Sequence, residues 1–88
     1  MQSITLRAGE SAALTVRTVP SQHGKIVLKV SGRGCCAFAG CASGEAESPS
    51  EDAVRWIIPI GATAADEKTL IVRCTGGELT IREIGAVE

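Results

Sequence analysis

The chemistry open to this chain is concentrated in Gly32–Gly44, GRGCCAFAGCASG, which holds Cys35, Cys36 and Cys41, three of the four cysteines, and the only Phe. The fourth thiol is Cys74 and the single imidazole is His23. Such groups can bridge, ligate a metal, act as nucleophiles or simply pack. Four cysteines allow three full pairings, and side-chain parity narrows them. On the alternating pattern Cys36 and Cys74 fall on core faces, while Cys35 and Cys41 share the opposite face at the base of a polar segment. Cys36 with Cys74 and Cys35 with Cys41 are therefore the disulfide candidates. A bridge enclosing about 38 residues adds roughly 3–4 kcal/mol in the chain-entropy model. Four unbonded thiols are the alternative: the N-terminus MQSITLRAGES lacks a basic and then apolar signal segment, and reducing compartments oppose disulfides.

Cys35, Cys36, Cys41 and Cys74, with His23 in reserve, supply enough soft ligands for zinc, but the C-x2-C knuckles of a zinc site are missing. Neighbouring Cys35 and Cys36 also point to opposite faces of a strand, which works against both reaching one tetrahedral ion. A redox enzyme wants C-x-x-C opening a helix, where the dipole lowers the thiol pKa, and no helical pattern follows these cysteines. His23 with Cys35, Ser21 or Asp52 has the composition of a nucleophile, base and orienter, yet an imidazole in a Pro/Gly loop reads as a solvated residue. Glu45, Glu47, Glu51 and Asp52 lack the D-x-D-x-D-G ligand pattern of a calcium loop. No catalytic residue, metal or cofactor is expected, and a zinc-binding or thiol-redox protein ranks third among the readings.

These side chains must be positioned by a small scaffold. The 88 residues form one domain, 1–88. A hydrophobic content of 44% with 22% charged residues is ordinary for a folded globule. Net charge −1 and pI about 5.8 lack the basic excess that a phosphate backbone demands, so nucleic acid is not an expected partner. The longest apolar run, Trp56–Ile60, is far short of a spanning helix, and no membrane partner is expected.

Period-two alternation predicts strands at Ser3–Arg7, Ala12–Thr18, Lys25–Ser31, Cys35–Ala39, Ala53–Ile60, Thr69–Cys74 and Leu79–Ile84. The first two read as a hairpin across Ala8–Ser11 and the last two as a hairpin across Gly76-Gly77. Pro59 marks its strand as an edge, Gly61–Lys68 reads as a connection, and Ala42–Asp52 reads as the longest exposed loop. The fold class is all-β: a small antiparallel β-sandwich or jelly-roll-like barrel of about seven short strands.

Trp56 and Phe38 are the whole aromatic inventory. A carbohydrate or single-strand binding face depends on several exposed rings, so core packing is their expected role. Val27, Ile57, Ile71 and Ile84 take outward parity and are the candidate interface. By exclusion, the expected function is that of a non-enzymatic structural subunit of a larger assembly acting through oligomeric contacts. Its concrete form is a virion component of phage type, a capsid decoration, fibre or tail accessory protein, in the virion or the cytoplasm. The alternative is a small disulfide-stapled β module that contacts a partner through the 42–52 loop.

Overall fold

A computed structural model of the protein describes residues 2–87. The described residues form seven strands: β1 (Ile4–Arg7), β2 (Ser11–Arg17), β3 (Ser21–Ser31), β4 (Gly34–Gly40), β5 (Gly44–Ser48), β6 (Val54–Thr63) and β7 (Glu67–Val87). All pairings are antiparallel. The organising element is β7, 21 residues long, to which β1, β2, β3 and β4 all pair.

The alternation of β7 explains how one strand serves so many partners. Leu70, Val72 and Cys74 are buried at even positions, Leu79 and Ile81 at odd ones. The phase changes at Gly76-Gly77, where Gly77 takes φ +69 and a Cβ would run into the Arg33 carbonyl. An L-side chain tolerates neither condition. Before this corner β7 lies between β2 and β4; after it, between β1 and β3. Two sheets result, a β5 sheet in the order β2–β7–β4–β5 and a β6 sheet in the order β1–β7–β3–β6, facing one another across the core. The expected β-sandwich is present, built by a strand that changes sheet, as at the corners of orthogonal packings.

Two hairpins expected from turn residues are absent for related reasons. Gly76-Gly77 bends a continuous strand because both of its halves find partners elsewhere. Ala8–Glu10 likewise does not fold β2 back on β1: Gly9 N–H donates to Cys74 O and Cys74 N–H to Glu10 O, so the turn runs on alongside β7. The 42–52 segment is also not one loop. Its centre is β5, which pairs with β4 from Gly34↔Ser48 to Phe38↔Gly44. Buried Ser48 anchors it, with its hydroxyl in hydrogen-bonding reach of the Gly32 and Ser50 carbonyls. β6 continues through Pro59 to Thr63 at a sheet edge, where the missing N–H is tolerated.

Ile26, Leu28, Leu70, Leu79 and Ile81 are fully enclosed, and cutting any of them to Ala costs about 2–5 kcal/mol. Ile84 is a correction. Arg82 is an extra residue between the pairs Lys29↔Glu83 and Val30↔Ile81, and this bulge turns Ile84 inward against the core. The outward row of the β6 sheet is instead Glu83, Gly85 and Val87 beside Lys29, Val27 and Lys25.

Candidate functional site

β5 and β6 are the edges of their respective sheets on one side of the sandwich, and a cleft opens between them. Phe38, inward on β4, sits opposite Gly44, which has no side chain to cover the ring. Trp56, on the inner face of β6, pairs with Leu28 on β3 and is half-buried. The two rings meet edge to face, 5.9 Å between centroids with an interplanar angle of 81°, the arrangement favoured by aromatic quadrupoles. They form the cleft's apolar part. One lip carries Ser43, Glu45 and Ala46, and the other carries Arg55, Ile57 and Pro59. The cleft encloses about 310 Å³, at the small end of ligand sites. Edge strands also leave backbone N–H and C=O groups unpaired, so hydrogen-bonding groups border an aromatic surface. Core packing is the expected role of both rings; Phe38 is buried in the core, whereas Trp56 packs against it half-buried. What parity could not convey is that they lie at the open side of it.

The thiols divide differently. Cys36 and Cys74 are cross-strand partners on β4 and β7, both buried and both free. Desolvation pushes the Cys36 pKa up to about 11, with the neighbouring Cys74 and Cys35 thiols adding to the rise and the Ala46 backbone hydrogen bond opposing it. This thiol is protonated at neutral pH and is no nucleophile. Cys35 is exposed on the outer face, and Cys41 is half-buried just past the end of β4. The expected Cys35–Cys41 pair is overturned by the strand between them: six extended residues span about 20 Å, whereas a disulfide needs Cα atoms within about 7 Å. No disulfide is present, and no metal-holding group of three or more His, Cys, Asp or Glu side chains occurs among the described residues.

His23 is exposed near the start of β3, its backbone N–H donating to Ser21 Oγ. Asp52 precedes Val54, the partner of Val30 on β3, and Cys35 follows the turn after Ser31. Seven strand residues, about 23 Å, separate His23 from Val30. The structure thus holds His23 apart from both Cys35 and Asp52. Among the interface candidates, Val27 and Ile57 are neighbours on the outer face of the β6 sheet, and Ile71 lies on the outer face of the β5 sheet. No described helix is long and apolar enough to cross a membrane.

The sequence matches no family model and no curated protein. Solved structures are similar to it in shape. A family GH115 4-O-methyl-α-glucuronidase with specificity for decorated arabinogalactans superposes with TM-score 0.70 at 6% identity, over 98% of this chain and 14% of the enzyme. The carbohydrate-binding module of lichenase 5A from Cellvibrio mixtus, solved with cellotriose, gives TM-score 0.63 at 13% identity, covering 99% of this chain and 86% of the module. The C-terminal domain of EclA, a sugar-binding protein, gives 0.59 at 15% identity, over 98% and 77% of the two chains. The likeness is one of fold. It places the chain among β-sandwich and jelly-roll-like domains, and its length is a small part of the glucuronidase's.

Proposed function

We propose that this domain is a non-catalytic glycan-binding module whose ligand lies in the cleft between β5 and β6. The observation that carries the reading is the placement of the only Trp, half-buried beside Phe38 at the open edge and flanked by Arg55 and Glu45. An indole offers an apolar surface for the C–H face of a sugar ring, while charged and backbone groups at the lips meet its hydroxyls. The similarity to a carbohydrate-binding module and to another sugar-binding domain supports the same reading. With one indole the cleft holds about one ring tightly, so the affinity expected is weak, on the order of a millimolar Kd or about −4 kcal/mol.

Because Trp56 is the only Trp, its fluorescence reports the cleft alone. Titration with cellotriose and with neutral and glucuronic-acid-bearing oligosaccharides should quench or shift that emission for at least one class. Arg55→Ala and Glu45→Ala should weaken the response. Emission unchanged by every class at millimolar sugar, with no perturbed amides in β5 or β6 by NMR, overturns the reading.

A second reading, a structural subunit of an assembly such as a virion, is favoured by a separate observation. Ile57 is 61% exposed beside Val27 on the outer face of the β6 sheet, an apolar surface suited to subunit contact.

A further inference from the structure

The outer faces of the two sheets differ in charge, and several of these charges have no ion-pair partner among the described residues. On the β6 sheet, Lys25, Lys29 and Arg55 surround the half-buried Val27 and the exposed Ile57. On the β5 sheet, Glu45 and Glu47 face outward beside Ala37 and Cys35, with Glu51 and Asp52 in the turn that follows. The ion pairs among the described residues are Arg7–Glu78, Arg17–Glu67 and Lys68–Asp66, so none of these three cations and four anions has an opposite charge within 4.0 Å. Minority charges lie on each face: Glu83, the register partner of Lys29, on the cationic one and Arg73, the register partner of Ala37, on the acidic one, while the pairs Arg7–Glu78 and Arg17–Glu67 neutralise themselves on the two faces.

Shape follows charge. The row Ala13–Ile71–Ala39 crosses the acidic face with two small side chains around an Ile that is 38% exposed, a low strip between the charged residues. The cationic face presents Ile57 at 61% exposure. The molecule measures 35 × 23 × 22 Å, so the roughly 800 Å² per partner of a standard interface would take nearly a whole face.

We infer that copies of this chain stack head to tail, the cationic outer face of the β6 sheet of one copy seated on the acidic outer face of the β5 sheet of the next. A two-fold dimer through either face alone is disfavoured, since it would set Lys25, Lys29 and Arg55, or Glu45 and Glu47, against their own copies. The contact is therefore heterologous, and repeating it gives a ring or an open filament. The β5–β6 cleft opens at the sheet edges, along the side of such a stack. Repetition would multiply weak cleft contacts into avidity for a polymeric ligand, although stacking itself rests on the faces and not on the glycan reading.

Sedimentation velocity of the intact chain without sugar tests this over a concentration series at low and high salt. Concentration-dependent growth beyond the monomer, weakened by salt, is the expected result. The double variants K25E/K29E and E45K/E47K should each be monomeric, because each carries like charge on both faces. Mixing them restores opposed faces and should restore association. Ile57→Asp should abolish it in the parent. A parent that stays monomeric at low salt, charge variants that assemble as well as the parent, a mixture that stays monomeric, or a closed dimer indifferent to the substitutions would each overturn the inference. All of these are read without ligand, so failure here leaves the Trp56 titration to stand or fall separately.

Discussion

Phe38 and Trp56 join the two sheets at their open edge: one ring comes from β4 of the β5 sheet, the other from β6 of the β6 sheet, and they meet 5.9 Å apart at 81°. The contact is both a piece of core and a wall of the cleft, so stability and recognition share it. Phe38→Ala should cost about 3–5 kcal/mol, read as a lower denaturation midpoint. Under conditions where the variant is folded, Trp56 emission should shift to the red as water reaches the indole. Phe38→Leu, which keeps apolar volume but not the edge-to-face geometry, should recover most of the stability while Trp56 emission remains altered. Equal behaviour of Phe38→Leu and the parent in both measurements would show that the aromatic pairing contributes nothing beyond volume.

The corner of β7 gives a sharper test, since adjacent glycines are predicted to differ. Gly77 combines φ +69 with a position where a Cβ meets the Arg33 carbonyl, whereas Gly76 has no positive φ and open space around it. Gly77→Ala should therefore lose about 2 kcal/mol or more. Gly76→Ala should fall within about 1 kcal/mol of the parent. Chemical denaturation of the two variants side by side is sufficient, and similar costs would mean that the corner is not where the strand is constrained.

That corner also shows where sequence reasoning succeeds and stops. Period-two alternation within the expected strands sets Ile26, Leu28 and Val30 on one face, as it does Cys36 with Phe38, Leu70 and Val72 with Cys74, and Leu79 with Ile81, and all are buried, because parity along one strand is a local property. Which strand pairs with which is not local. Gly76-Gly77 has the composition of a hairpin turn, and only competition among partners for both edges of β7 makes it a bend. Arg82 carries no signal of a bulge, so the inward turn of Ile84 could not be foreseen. The cleft was illegible for the same reason: it exists because β5, read as loop, and β6, read as an edge, end up as edges on one side of two facing sheets.

Cys36 couples stability to alkaline pH. Its folded pKa of about 11 lies above the ordinary value of 9.0, so the unfolded chain releases this proton first as pH rises. The contribution is fully present below about pH 9 and is lost progressively toward 11. The denaturation midpoint should fall between these pH values in the parent and fall less in Cys36→Ala, compared as differences from each protein's own value at pH 7. Parallel curves would mean that the buried thiol does not govern this limb.

The same geometry orders the four thiols chemically. Exposed Cys35 should react first with a thiol reagent and half-buried Cys41 next, while Cys36 and Cys74 should react only when the chain opens. Position in the sheet should decide which thiols can bridge within one chain, and access how fast they do so. Directly opposed residues on antiparallel strands have Cα atoms about 4.5–5.5 Å apart, inside the range a disulfide spans. Cys36 and Cys74 are such partners, whereas Cys35 and Cys41 sit at opposite ends of β4. A mild oxidant that reaches the pair through local opening should therefore yield the Cys36–Cys74 bridge, slowly, and no Cys35–Cys41 bridge, as read by peptide mapping. That bridge encloses about 38 residues and should add roughly 3–4 kcal/mol of stability, reversed by reductant. Recovery of Cys35–Cys41 as the main product within one chain would require β4 to unfold, and would show that oxidation captured an opened state in place of the sandwich.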